Sequence, residues 1–381
     1  MGISKTVWTS PRALLAALEP DAPVLFFCPE ALQATARRFV AGFPGLVTFA
    51  VKSNPAPEVL DNLAAAGIAA FDVASPTEID LIRARVPGAA LHYNNPVRSR
   101  REIAVAAQAG IASWSVDCAG ELAKLAEGLP HRNTEVAVRI ALPVKGAAYD
   151  FGAKFGATPE VAAQLLAEVA RLGFQPAITF HPGTQCTDPE AWVRYIEASA
   201  AIARVAGVRI ARLNVGGGFP SHRIGGELPD LERIFAAIDA AATRAFGTAR
   251  PALVCEPGRG MVAEAFSLAV RVKSLRAGGT VYLNDGIYGQ LAELPIMGMI
   301  DRITALGPEG ALRRGPGVPR TVFGPTCDSL DRLPGQVALP ADLAEEDYLL
   351  IAGMGAYSLA TETGFNGYGR AEVATVHRLD A

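Results

Sequence analysis

The chain has 381 residues, with 35 Lys and Arg against 38 Asp and Glu, so its formal net charge is −3. Half of the residues are hydrophobic and 19% are charged, which excludes a disordered or fibrous chain. The near-balance of charge argues against a nucleic-acid binder, and every apolar run is broken by Gly, Pro or charge well short of ~18 residues, so no membrane span is expected.

The first twenty residues, MGISKTVWTSPRALLAALEP, lack a basic leader and a small-residue cleavage site. They read as neither a signal nor a transit peptide, and the chain as cytoplasmic. Five cysteines (Cys28, Cys118, Cys186, Cys255 and Cys327) are scattered with no CxxC pair. That pattern predicts reduced thiols without a disulfide framework, and no metal is expected. The segment before VLFFC is too short to fold alone and is expected to lend a strand to a later domain.

From residue 46 the chain alternates. Short β-branched runs appear at LVTFAV (46–51), AAFDVA (69–74), ALHYN (90–94), ASWSVD (112–117), EVAVRI (135–140), AITFHP (177–182), RLNVGG (212–217) and ALVCEP (252–257). Between them lie amphipathic stretches such as PEVLDNLAAAG and PEVAAQLLAEVARLG, several closed by Gly. Eight such units predict an α/β fold, a (β/α)8 barrel, over 20–265. An open dinucleotide-binding sheet would need G-x-G-x-x-G after an early strand, and the Gly-rich strand end here, Gly216–Gly218, is late. After 265 the helices thin out and FSLAVRVKSL, TVYLND, RTVFGPT, DYLLIAG and EVATVHRL read as strands. Residues 1–19 with 266–381 are therefore expected to form a mainly β, sandwich-like domain, with 304–318 as a Gly/Pro-rich loop.

Catalytic groups of such a barrel sit where strands end. Those positions hold Lys52, Asp72, Asn94, Asn95, Asp117, Arg139, His181, Gly216–Gly218, Glu256 and Arg259. A lysine at the end of an apolar strand is desolvated, which favours the neutral amine that a Schiff base needs. It also reads as a snorkelling surface lysine. Three glycines let backbone N–H groups approach a phosphate, and Arg259 can pair with one. They read equally as a tight turn. Glu256 can hold a pyridine nitrogen protonated, or pair with Arg259 as a buried ion pair. His181 can lie flat on a ring or be structural. Together the four describe a pyridoxal 5'-phosphate (PLP) site.

The order FAVKSNP, FDVAS, HYNNP, AVRI, AKFGA, FHPGTQ, NVGGGFP, EPGRG, YLNDGIYG, GPTCDSLD and MGAYSLA with FNGYG closely resembles the fold-type III PLP-dependent decarboxylases, the ornithine/lysine/diaminopimelate/arginine group. The short bacterial ornithine decarboxylases are the nearest in pattern. The resemblance implies an alanine-racemase-like fold, a barrel plus a β domain. It implies that Lys52 bears the cofactor, Glu256 binds its pyridine nitrogen, and His181 stacks on the ring. Asp72 and Arg139 would flank it. Gly216, Gly217, Gly218, Arg259, Tyr357 and Thr184 would hold the phosphate. Family members often have Ser at the Thr184 position and Val at that of Pro182.

The resemblance also implies a head-to-tail homodimer with two shared sites. Cys327 would protonate the carbon that loses CO2, and Asp328 would bind a distal ammonium, both in the partner's site. Tyr288 would join the substrate pocket, and Lys154 and Asp331 would form an intersubunit salt bridge. Many members carry a second Asp where this chain has Met297. Glu293 matches a site where short bacterial members carry Asp, and it is expected to line the pocket and favour ornithine over lysine. The expected reaction is L-ornithine to putrescine, with lysine or a dual specificity as the alternative. Diaminopimelate decarboxylases have C-E-S where this chain has Cys327-Asp328-Ser329. Alanine racemases have Arg at the position of Glu256, and non-catalytic antizyme-inhibitor relatives lose cofactor residues that are retained here.

Overall fold

The computed structural model describes residues 6–129, 134–143, 154–226 and 228–380. The eight apolar runs form a ring of parallel strands: Leu46–Val47 with Phe49–Ala50, then Ala70–Asp72, Ala90–Tyr93, Ser113–Val116, Glu135–Ile140, Gln175–Phe180, Arg212–Asn214 and Ala252–Cys255. The first run is split at Thr48. Its first half pairs with the last strand and its second half with Ala70–Asp72. Thr48 spans the split by donating its N–H (2.9 Å) and its Oγ1 hydroxyl (3.0 Å) to the Cys255 carbonyl, which closes the barrel.

Helices alternate with the strands and cover the ring. Their starts follow from local chemistry. Ser75 and Thr158 cap Pro76–Arg85 and Pro159–Arg171, each with proline at the first helical position. Ser99 and Glu102 form a reciprocal capping box on Arg100–Gln108. Gly207, left-handed at φ 64°, closes Glu190–Ala206.

The second sheet runs in the order Ile303–Leu306, Tyr348–Ala352, Phe266–Arg276, Val24–Phe27, Glu372–Thr375; Thr280–Leu283 also pairs with its long strand, and Val322–Phe323 pairs in turn with Thr280–Leu283. Three readings of the sequence change here. Val24–Phe27, placed inside a barrel starting at residue 20, pairs antiparallel with Phe266–Ala269 and parallel with Glu372–Thr375. This VLFF run is apolar throughout because alternate residues serve two cores: Leu25 and Phe27 the main one, Val24 and Phe26 a smaller one. Apolarity alone does not say which sheet receives such a strand.

The segment before it forms the helix Pro11–Leu18, capped by Ser10, and its described residues contribute a single bridge, Trp8 to Val376, to the pairing. Leu14 and Leu15 bury that helix against the smaller core. Finally, the stretch read as a loop over 304–318 begins in the strand Ile303–Leu306 and ends in Gly317–Arg320, which pairs with Val337–Pro340.

Candidate active site

The strand ends converge at one mouth of the barrel. Lys52 sits in a single 3-10 turn, Val51–Ser53, directly after Phe49–Ala50. That turn is fixed on both sides. Ala50 N–H donates to the Pro257 carbonyl, and Tyr357 N–H donates to the Ser53 carbonyl at 2.7 Å. Asn54 Nδ2 donates to the Gly355 carbonyl at 2.8 Å. Lys52 is thus pinned between the last barrel strand and a loop of the second sheet. It is solvent-accessible at the mouth yet ringed by protein.

The desolvation expected for Lys52 is present but is not decisive. Burial acts to lower its pKa, while Tyr357, Asp72 and Glu256 act together to raise it, and the net direction is up. The amine therefore rests as an ammonium among carboxylates. Asp72, buried, is pushed well above the carboxylate range by burial and then by Glu256, with Lys52 opposing. Arg139 is lowered by burial against the pull of Glu256 and Asp72.

Glu256 does not pair with Arg259. Asn94 and Asn214 both donate their Nδ2 to the same oxygen, Oε1. No partner among the described residues takes Oε2. Burial raises this carboxyl, and Asn214, Lys52, Arg139 and Asn94 hold it back. Asn214 was not singled out in the sequence, although it satisfies the same rule as its neighbours, a polar residue ending an apolar strand.

His181 Nδ1 accepts from Gly183 N–H at 3.1 Å. Burial, then Lys52 and Arg139, push its pKa well below the usual value, so the ring is neutral. A Cβ on Gly217 would lie 2.7 Å from the Glu256 carbonyl and 3.2 Å from His181 Nε2. A Cβ on Gly218 would lie 2.3 Å from the Gly183 carbonyl. Gly216 and Gly218 have φ of 68° and 85°. This turn admits no side chain, and the N–H groups of Gly217 and Gly218 have no acceptor among the described residues. Pro182 is buried and packs against Gly218, and half-buried Thr184 lies in the same loop.

Arg259 follows Gly258, whose α-carbon faces Ser53. Its guanidinium lies over the Tyr357 ring, 5.1 Å from the centroid. Tyr357 itself is left-handed at φ 61°. Both Nη atoms of Arg259 donate to Glu293, each at 2.5 Å. Glu293, expected to line the substrate pocket, here gives both carboxylate oxygens to Arg259.

A second cluster stands on three loops. Tyr288 donates its hydroxyl to Asp328, and its ring packs on Phe365 at 4.8 Å between centroids. The Asp328 pKa is lowered by Leu330 N–H and then Tyr288, so it stays ionised. Cys327 is exposed and donates its N–H (3.1 Å) and its thiol (3.2 Å) to Asn366 Oδ1. Among the described residues, no hydrogen bond or ion pair joins this cluster to Lys52 or Glu256.

Asp331, read as an intersubunit partner, is buried in its own chain. Its Oδ1 accepts from Ile287 N–H, and its Oδ2 accepts from Thr326 N–H and Oγ1. A Cβ on Gly286 or Gly324 would come within 2.2 Å of that carboxylate, so both loops close tightly around it. Lys154 is exposed and lies 4.8 Å from the Phe155 ring, whose other cation is Arg139 at 5.2 Å.

The pyridoxal-binding domain of the pyridoxal-dependent decarboxylases matches residues 30–263. The chain belongs to this family. It is similar to the ornithine decarboxylase of Mus musculus, 31% identical over 362 residues, spanning 88% of this chain and 76% of that one. The lysine/ornithine decarboxylase of Selenomonas ruminantium is 32% identical over 330 residues, spanning 84% and 81%. The arginine decarboxylase of Paramecium bursaria Chlorella virus, solved with agmatine, matches with a TM-score of 0.84 at 25% identity, covering 95% of this chain and 98% of that one.

The enzyme is thus a PLP-dependent decarboxylase, and the residues at the barrel mouth fit that cofactor. Glu256 Oε2 offers an acceptor to a protonated ring nitrogen, the neutral His181 ring is planar, and the Gly217–Gly218 turn presents N–H groups to an anion. Among the described residues no cluster of His, Cys, Asp and Glu is arranged to hold a metal, and no helix is long and apolar enough to cross a membrane.

Proposed function

We propose that this decarboxylase acts on L-ornithine, releasing putrescine and CO2, with L-lysine as the alternative substrate. The reading is carried by the Tyr288–Asp328 pair: an ionised carboxylate, oriented by a phenol, on the loop that also bears Cys327. A carboxylate so placed recognises a distal ammonium, which ornithine and lysine both carry. The names of the similar proteins cover ornithine, lysine and arginine chemistry, so family membership leaves this choice open.

In this reading Lys52 would hold the cofactor, with Glu256 toward its ring nitrogen and His181 toward its face. Asp72 and Arg139 would flank it, and Gly216–Gly218, Thr184, Arg259 and Tyr357 would hold its phosphate. Bound there, the cofactor would supply an electron sink for the pair left when CO2 departs. Cys327 would be the proton donor to the substrate α-carbon.

The exposure of Cys327 and the family resemblance support a homodimer in which each subunit serves its partner's site. A single incubation tests the substrate. Purified enzyme with PLP receives equimolar L-ornithine, L-lysine, L-arginine and meso-diaminopimelate, and products are read by mass spectrometry. Putrescine is expected to dominate. Cadaverine in excess would overturn the substrate while leaving the chemistry. No amine product would overturn both.

A further inference from the structure

Behind the glycine turn, two arginines share one acid. Arg259 gives both Nη atoms to Glu293 in a two-pronged pair, and its Nε is buried without a partner. Arg223 stands beside them, buried, with Nη2 donating to the Gly298 carbonyl at 2.7 Å. Burial and then the nearby Arg259 lower the Arg223 pKa to about 10, with Glu293 opposing. Arg223, Arg259 and Glu293 line one small cleft with Gln290, Leu294 and Ser358. The cleft abuts the cradle: a Cβ on Gly260 would strike the carbonyl of Phe219, the residue after Gly218, at 2.8 Å.

Charge decides what this arrangement does. Two arginines and one glutamate sum to +1. A phosphate monoester brings about −1.5 to −2 at neutral pH. With Glu293 ionised the buried sum is negative, and uncompensated buried charge is costly. Geometry works in the same direction. A carboxylate bound to both Nη atoms occupies the fork that Arg259 would otherwise present to phosphate oxygens. Only Nε remains.

We propose that Glu293 is an internal competitor of the cofactor phosphate, holding Arg259 and weakening cofactor affinity. Loading of the enzyme then responds to the concentration of free cofactor instead of saturating at once. The proposal rests on the assignment of Arg259 to the phosphate, and its test separates the two.

The measurement is a spectroscopic titration of cofactor-free protein with PLP and, separately, with pyridoxal, which lacks the phosphate. Glu293→Gln is expected to tighten PLP binding about tenfold and leave pyridoxal unchanged, a tenfold change being 1.4 kcal/mol. Glu293→Asp is shorter by one methylene and draws the carboxylate back from Arg259, loosening the pair. It should give a smaller gain in the same direction, and it keeps the question answerable if the Gln variant does not fold. Arg259→Ala should weaken PLP without affecting pyridoxal. PLP binding that is unchanged or weakened in both Glu293 variants would overturn the proposal. If Arg259→Ala affects the two ligands alike, the assignment of Arg259 fails and the proposal falls with it.

Discussion

At the barrel mouth, Lys52, Asp72, Arg139, His181 and Glu256 ride on strand ends whose backbones are tied to neighbouring strands. Tyr288, Cys327 and Asp328 ride on loops, and side chains hold those loops: Asp331 binds three donors from two of them, and Asn366 binds Cys327. The first region is a complete constellation within one chain. The second has charge and a thiol, held by contacts among its own loops. Rigid backbone suits groups that must hold one cofactor in one pose. Loops suit groups that must meet a substrate arriving from solvent.

The comparison breaks most sharply by mutation of one residue from each region. Lys52→Ala should abolish the near-visible absorbance of the bound cofactor along with turnover; a surviving band would remove Lys52 from the cofactor. Cys327→Ala should keep the band and lose about 10²–10⁴-fold in turnover, the scale for a positioned proton donor. Mixing the two inactive proteins should restore about a quarter of wild-type activity, because half of the dimers are mixed and each holds one complete site. No recovery despite proven subunit exchange would place Cys327 in its own chain's site.

A smaller effect sharpens the first region alone. Asn214→Ala removes one of two donors to Glu256 Oε1. The charged carboxylate loses support that burial makes necessary, so its pKa should rise further. A loss of about 1–3 kcal/mol is expected, roughly 10–100-fold in kcat, with the pH–rate profile displaced upward on its acid side. A changed rate with an unmoved profile would mean that Asn214 only shapes the pocket.

The two regions also differ in how far they are legible in sequence. The barrel mouth can be read because one rule, polar residues at the ends of apolar strands, finds nearly every member. Asn214 satisfies the same rule, at the end of RLN just before the Gly216–Gly218 turn. Thr48 is different: no pattern announces that LVTFAV must split to pair on both sides. In the second region the family motifs supply Cys327 and Asp328, but no motif foretells the intrachain partners of Asp331 and Glu293. Each carboxylate is satisfied by groups brought close by the fold, Thr326 and Ile287 for one and Arg259 for the other. Long-range pairing of this kind leaves no local trace. The same holds for VLFF, which is apolar for two cores and so silent about its sheet.

Asp331→Asn tests whether the loop cluster depends on its buried anchor. An amide puts an N–H against backbone donors that now face a carboxylate. The expected cost is about 1–3 kcal/mol, confined to the two loops. KM for the amino acid should rise and Cys327 should react faster with a thiol reagent, while cofactor affinity stays put. An equal fall in cofactor affinity would mean that the two regions are not separable.

The mildest test uses pH. Asp285 is buried at the start of the loop that carries Tyr288, and its Oδ1 has no partner. Burial pushes its pKa up to about 7, against hydrogen bonds from Gln290 and Gly286 N–H and with Asp331 and Glu362 adding to the rise. The folded value thus lies above the unfolded value of about 3.9, so the fold prefers the protonated form. Its contribution to stability is fully present below about 4 and is lost as pH rises through about 7, at up to about 1.4 kcal/mol per pH unit. Asp285→Asn keeps an acceptor for Gln290 N–H and removes the charge. Urea midpoints of the two proteins should converge at acid pH, separate as pH rises from about 4 to about 7, and stay apart above it, with the variant more stable. Asp72 and Glu256 are raised in both proteins, so the difference between the profiles isolates Asp285. Parallel profiles would show that this loop holds its charge without strain, and that the pH response belongs to the barrel mouth instead.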